Sequence, residues 1–137
     1  MPRQTLNPDT LAPPTGAAQG TPFYSWVARK GPMLFLAGMS PYTLDKELAG
    51  DGLEEQTRQC FRNMQAALEA AGASLDDVCS LTVYTRSGDL QAEVYPAVNL
   101  VCHEFFPESP PARACMGGIE LPRGSELVMV SAIAVVD

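Results

Sequence analysis

Apolar residues recur every three or four positions between Cys60 and Ala71, and this spacing predicts an amphipathic helix. Asp51 followed by Glu54 has the spacing of an acidic N-cap residue and its reciprocal partner, so we expect the helix to begin just after Asp51. Gly72 marks the end of the helix, because glycine adopts the left-handed conformation of a C-cap without steric cost.

A second amphipathic helix is predicted around Val98, with Tyr95 and Phe105 on the same apolar face. Pro96 places the start of this helix nearby, since proline is tolerated only in the first turn. The helix must end before Pro107.

Runs of apolar or alternating residues predict the strands, which lie between turns rich in glycine and proline. The first 22 residues hold too many prolines for a helix, so we expect them to form an extended N-terminal arm of a single domain over residues 1–137. The predicted strands span residues 24–28, 33–37, 78–85, 112–119 and 127–136.

Two helices and five or six strands predict an α+β fold, a mixed sheet with both helices packed on one face. The last strand, residues 127–136, is apolar except for Ser131, so both of its faces should be shielded from water. No further helix exists to cover the second face. We therefore expect a homo-oligomer, with the alternative that the N-terminal arm covers this face.

Composition narrows the possible functions of the 137-residue chain. Its net charge of -7 repels phosphate backbones and argues against nucleic-acid binding, and a mean hydropathy of -0.01 argues against a membrane protein. The four cysteines and one histidine lack the spacing of a metal site, so we expect no metal. The start of the chain does not resemble a signal peptide, which predicts a cytoplasmic protein whose cysteines are small buried apolar residues.

Arg113 is the main candidate for chemistry, because it opens an apolar strand with no carboxylate beside it in the sequence. Its planar guanidinium fits a small-molecule carboxylate, and a salt bridge between subunits is the alternative. Tyr24 and Asn99 lie among apolar neighbours, where each is either a ligand-orienting group or a core residue. His103, beside Glu104 on the polar side of the second helix, is expected to be solvated.

An ordered set of short motifs runs along the chain. The motifs are Leu34 to Gly38, Gln56-Thr57, Asn63, Ala71 to Val78, Thr82 to Tyr84, Asn99, Phe105-Phe106, Pro111 to Arg113 and Leu121-Pro122. Together they resemble the reactive intermediate deaminase family, also called Rid or YjgF-like. The resemblance covers roughly residues 23–136 and implies a chorismate-mutase-like fold, a homotrimer whose sheets form a central barrel, and ligand sites between subunits.

The resemblance also implies an activity and its residues. Arg113 would hold the carboxylate of a 2-imino or enamine acid while water attacks the imine carbon, giving a 2-keto acid and ammonia without metal or cofactor. Tyr24 matches the tyrosine of the family site, Gly38 the glycine whose backbone approaches the ligand, Asn99 the helix asparagine, and Cys115 the cysteine after the arginine.

Several positions depart from the family pattern. Val128 or Met129 stands where the family has a glutamate that positions or activates the water, and Glu126 could replace it only if a bulge shifted the strand. Ala37 and Met39 flank the glycine in place of two polar residues. These departures predict a retained carboxylate clamp beside a more apolar wall.

Two other functions follow from the same observations. The missing glutamate also fits a non-catalytic trimeric protein that binds small carboxylates. A ribonuclease or translation-inhibitor activity, which has been attached to the family, is disfavoured by the net charge of -7 and the single histidine.

Overall fold

The computed structural model describes residues 2–14, 17–18 and 21–137. This part of the chain contains two α-helices, α1 (Leu53–Ala70) and α2 (Tyr95–Phe105). A short 3₁₀-helix at Leu75–Asp77 follows α1, and a short π-helix at Leu90–Val94 precedes α2. The strands are β1 (Gln4–Leu6), β2 (Ala17–Ala18), β3 (Thr21–Pro22), β4 (Val27–Lys30), β5 (Met33–Met39), β6 (Val78–Thr85), β7 (Ala112–Met116) and β8 (Val128–Val135).

Six strands form one mixed sheet in the order β1-β4-β5-β8-β6-β7. Every neighbouring pair is antiparallel except β6 and β7, which are parallel and therefore joined by a crossover that contains α2. The predicted α+β architecture, a mixed sheet with two helices, is confirmed.

The core lies between the two helices and the inner face of the sheet. On β8, Val128, Val130, Ala132 and Ala134 alternate toward this face and are at most 4% exposed. The Phe61 ring of α1 meets the Phe105 ring of α2 edge to face, with 5.2 Å between the ring centroids. This packing fixes the two helices on one face.

The outer face of the sheet is open in the single chain. Met33, Phe35 and Val135 are 38%, 40% and 38% exposed. The arm contributes β1, which pairs with β4 at the edge of the sheet and leaves these three side chains of the outer face exposed.

The start of α1 differs from the prediction. Gly52 is the N-cap, in extended backbone, and no side chain caps the helix, so the predicted capping box of Asp51 and Glu54 is wrong. Gln56 holds this turn instead, through an Nε2 group that donates to the Gly50 carbonyl at 3.0 Å.

Several strand boundaries also differ from the prediction, and β4 and β5 each extend two residues further, to Lys30 and Met39. β4 begins at Val27 rather than Tyr24, because the Trp26 N–H donates to Asn7 Oδ1 of the arm at 2.8 Å instead of joining the ladder. β7 ends at Met116 rather than residue 119, because the chain turns at Gly118, where φ is 71°.

All four cysteines are free thiols. Cys60 is buried as predicted, whereas Cys79 is exposed, so the expectation that the cysteines are buried apolar residues is wrong for Cys79. Over the part of the chain that the structure describes, neither helix combines the length and hydropathy needed to span a bilayer.

Gln56 generates a test of how the start of α1 is held to the sheet. Its side chain is 1% exposed, and its Oε1 also accepts a hydrogen bond from the Leu127 N–H at 2.7 Å. Gln56→Leu removes both hydrogen bonds and leaves the Gly50 carbonyl and the Leu127 N–H without this partner. We therefore expect the free energy of unfolding to fall by about 2 to 4 kcal/mol in urea denaturation. Gln65→Leu, at a half-buried position of the same helix, should change it by less than about 0.5 kcal/mol. Equal losses in the two variants would contradict this role.

Candidate functional site

Arg113 lies on the edge strand β7, beside α2. Its Nη1 donates to Asn99 Oδ1 at 2.7 Å and approaches Cys102 Sγ at 3.6 Å, and its guanidinium carbon lies 5.8 Å from the centre of the Tyr95 ring. Arg113 forms no ion pair with any described carboxylate. The structure therefore brings Arg113 and Asn99 together and leaves the charge of the arginine without an anion in the same chain.

A small cavity of 230 Å³ lies beside this arginine. A guanidinium has five N–H donors, and among the described residues only Nη1 hydrogen-bonds to the protein. The remaining donors suit a planar carboxylate in bidentate geometry. The cavity is lined by Leu81, Cys102, Phe106, Pro110, Pro111 and Arg113.

Two thiols accompany Arg113. Cys115 follows on the same face of β7, and Cys102 faces it from α2. Burial raises the pKa of both thiols, and the charge of Arg113 offsets only part of this rise. Both thiols are therefore protonated at neutral pH, unlike an activated cysteine nucleophile.

Tyr24 and Gly38 line a separate cleft of 410 Å³. This cleft lies at strands β5 and β8, whereas Arg113 lies on the edge strand β7. The Tyr24 ring meets the Trp26 ring edge to face, with centroids 5.4 Å apart. The lining is mostly apolar. It comprises Leu11, Ala12, Pro13, Tyr24, Trp26, Ala37, Gly38, Met39, Ser40, Tyr42, Lys46, Asn63, Pro122, Arg123 and Met129.

Met129 packs directly over Gly38. A Cβ atom on Gly38 would lie 2.6 Å from Met129 Sδ, so a larger residue at position 38 would displace the Met129 side chain. Met129 lines the cleft, whereas Val128 is fully buried on the inner face of the sheet. Of the two alternatives left by the sequence, Met129 is thus the residue at the cleft, and its thioether cannot transfer a proton.

Glu126 does not line the cleft. Its side chain is fully buried, Oε2 accepts a hydrogen bond from the Arg123 N–H at 3.2 Å, and Oε1 has no partner among the described residues. Burial, followed by the charge of Glu126, raises the pKa of Tyr42, which does line the cleft. The Arg123 guanidinium carbon lies 4.5 Å from the centre of the Tyr42 ring.

The two groups of site residues are far apart within one chain. Arg113 pairs with Leu81, Leu81 with Ala132, and Ala132 with Leu36 on the strand that carries Gly38. Three strand spacings of roughly 4.8 Å place Arg113 about 14 Å from that strand. A three-carbon acid cannot touch both groups of one chain.

Sequence reasoning missed the arm residues of the cleft. Leu11, Ala12 and Pro13 form one wall, and no local pattern marks them because their partner Trp26 lies far along the chain. His103 is exposed and lines neither cavity. Within the described ranges, no group of three or more His, Cys, Asp or Glu side chains could hold a metal ion.

Comparison with known proteins identifies relatives along nearly the whole chain. Residues 16–136 match the sequence profile of the family described as Endoribonuclease L-PSP. A RutC family protein of Pyrococcus horikoshii is 38% identical over 112 residues, which are 81% of this chain and 85% of that protein. A 2-iminobutanoate/2-iminopropanoate deaminase of Dermatophagoides farinae is 29% identical over 113 residues, 82% of this chain and 85% of that protein. The crystal structure of RidA from the Antarctic bacterium Psychrobacter sp. superposes with a TM-score of 0.83 at 28% identity, covering 97% of this chain and 99% of that chain.

The environments of the four thiols predict an order of alkylation by iodoacetamide, followed by peptide mass mapping. Exposed Cys79 should react first at pH 8, Cys102 and Cys115 more slowly, and buried Cys60 only after unfolding. Because a raised pKa lowers the thiolate fraction at pH 8, labelling of Cys102 and Cys115 should accelerate toward pH 10. Labelling of Cys115 ahead of Cys79 at pH 7 would show an activated thiol and contradict this description.

Proposed function

This chain belongs to the Endoribonuclease L-PSP family, which includes Rid and RutC proteins, and from that membership we propose that it hydrolyses small 2-imino or enamine carboxylic acids to 2-keto acids and ammonia. The observation that carries the proposal is the Arg113 guanidinium, which is held by Asn99 at 2.7 Å and forms no ion pair with a carboxylate among the described residues. The similarity to a relative named as a 2-iminobutanoate/2-iminopropanoate deaminase supports the same reaction.

The proposed reaction requires few catalytic groups. Arg113 binds the substrate carboxylate, and an enamine substrate first converts to its imine as a proton moves from nitrogen to carbon. The electron-poor imine carbon then accepts the oxygen of a water molecule. Protons pass from that oxygen to the nitrogen, the carbon–nitrogen bond breaks, and ammonia leaves as the keto group forms. Binding and orientation supply most of the rate enhancement, because the imine is already electrophilic. Tyr24 and Gly38 would contact the substrate from the cleft side, and Asn99 and Cys115 from the arginine side.

The distance between these two groups leads to a proposal about assembly. Since Arg113 and the strand of Gly38 are about 14 Å apart in one chain, we place the complete site between two chains of a homotrimer, where the arginine of one chain meets the cleft of the next. The open outer face, with Phe35 40% exposed, supports association of the sheets.

A second function is favoured by one observation. Met129 at the cleft has no group that accepts or donates a catalytic proton, which suits a trimeric protein that binds small carboxylates without turnover. The ribonuclease activity in the family description is not part of our proposal, because the net charge is -7 and the single histidine, His103, is exposed outside both cavities. A cytoplasmic location stays a prediction.

Removal of the carboxylate anchor tests the proposed reaction. A serine dehydratase can supply 2-aminoacrylate, and the protein should accelerate release of pyruvate and ammonia above the spontaneous rate. Arg113→Ala should lower this acceleration by roughly 100-fold, since charge-assisted bonds to the carboxylate are lost. Arg62→Ala, at an exposed arginine on α1, is the matched control and should retain activity.

The outcomes separate the two candidate functions. No acceleration for 2-aminoacrylate or for imines made by an amino-acid oxidase would exclude the deaminase. Saturable binding of 2-keto acids that is lost in Arg113→Ala, without any turnover, would favour the binding protein.

The proposed trimer predicts a mass in light scattering of three times the 14.7 kDa chain at micromolar concentration. Phe35→Glu places a charge on the outer face, where the single chain leaves the ring 40% exposed, so it should dissociate the trimer while circular dichroism stays unchanged. Leu44→Glu, in a loop at 55% exposure, is the control and should leave the mass unchanged. A monomeric mass for the unaltered protein would contradict the assembly.

A further inference from the structure

We infer that the cleft around Trp26 selects acids with a bulky apolar side chain, and that arm residues 11–13 are its specificity wall. This inference rests on the proposed function and deepens it, because it names the substrate class of the same site. It concerns which 2-imino acids, or which 2-keto acids as their products, the cleft accepts.

The cleft is large for a three-carbon acid. At 410 Å³ it lies within the range of sites that hold ligands far larger than a three-carbon acid. A methyl or ethyl substituent would leave much of this space unfilled, whereas a branched or aromatic side chain would contact several walls at once.

The arm is fixed as part of the cleft. Leu11 is 6% exposed and belongs to the hydrophobic core. The Trp26 indole Nε1 donates to the Ala12 carbonyl at 2.8 Å, and the Trp26 backbone N–H donates to Asn7 Oδ1 at the same distance. These contacts hold Pro13 at the rim, so the arm presents a preformed apolar wall.

The floor of the cleft is the surface around Gly38, and it is apolar. Met129 covers Gly38, and Met39 is 1% exposed beside it, with Ala37 on the other side of the glycine. A polar side chain placed on such a surface would lose its hydrogen bonds to water. The flexible thioether of Met129 can instead adapt to apolar groups of different shape.

Asn63, a polar residue of the lining, already has hydrogen-bond partners within the protein. Asn63 Nδ2 donates to the carbonyls of Ser40 and Tyr42, both at 2.9 Å, and its Oδ1 accepts from Gln59 at 3.0 Å. Lys46 and Arg123 also line the cleft, but both are exposed. Both N–H donors of Asn63 are therefore occupied, and most of the remaining lining is apolar.

Trp26 is the single tryptophan of the chain, so its fluorescence reports occupancy of this cleft. The titrants are pyruvate, 4-methyl-2-oxopentanoate and 2-oxoglutarate, with calorimetry as a second readout. Since each buried methylene tightens binding by about fourfold, the branched acid should bind at least about tenfold more tightly than pyruvate. The anionic side chain of 2-oxoglutarate tests the alternative that Lys46 and Arg123 determine selectivity.

Variants assign the selectivity to the wall and the floor. Pro13→Glu and Met129→Glu should each weaken binding of 4-methyl-2-oxopentanoate by about tenfold and change that of pyruvate by less than about threefold. Thr10→Glu, an exposed arm residue outside the cleft, and Leu44→Glu are the matched controls and should leave both affinities unchanged.

The results separate this inference from the proposed function. Binding of pyruvate or 2-oxoglutarate as tight as that of the branched acid would overturn the inference and leave the carboxylate site intact. Selectivity retained in Pro13→Glu would exclude the arm as the wall. If no keto acid binds and no imine is hydrolysed, the proposed function fails and this inference fails with it.

Discussion

Among the described residues, six strands form the main sheet, and the two α-helices both pack on the same face of it. The inner face is closed by this packing, with Leu34, Leu81 and Val130 at most 1% exposed. The outer face keeps Phe35 40% exposed. Any ligand site must therefore form at the edges of the sheet or at its uncovered face, and Arg113 and Gly38 lie in such places.

Strand order then separates the two groups of candidate residues. Because β8 and β6 lie between β5 and β7, no side-chain rearrangement can bring Gly38 and Arg113 of one chain together around a small acid. Under the proposed function, the uncovered face favours association of the chains. This association also brings the Arg113 of one chain to the cleft of the next. Assembly and chemistry thus depend on one feature of the topology.

Local pattern predicted what local forces determine. The periodicity that places Cys60, Met64 and Leu68 on one face of α1 was sufficient, and so was the alternation along β6 and β8. The local pattern was insufficient where a residue distant in sequence determines the start of an element. The start of β4 depends on the contact of Trp26 with Asn7 and Ala12 of the arm, which no window of neighbouring residues contains. The start of α1 similarly depends on the Gln56 side chain rather than on a cap.

For the site, sequence context singled out Arg113 and Asn99 and the resemblance gave them roles, but it left open whether Val128 or Met129 stands at the position of the family glutamate, because this depends on where a one-residue insertion is placed. The register shows Met129 over Gly38 and the arm beside it. The departures are therefore concentrated in one cleft and share one direction, toward apolar surface, while the Arg113–Asn99 contact at 2.7 Å is kept. Residues 11–13 of the arm add an apolar wall to this cleft, while the remaining guanidinium donors of Arg113 stay open to a carboxylate. Under the proposed function, these two features together favour an acid that carries an apolar side chain.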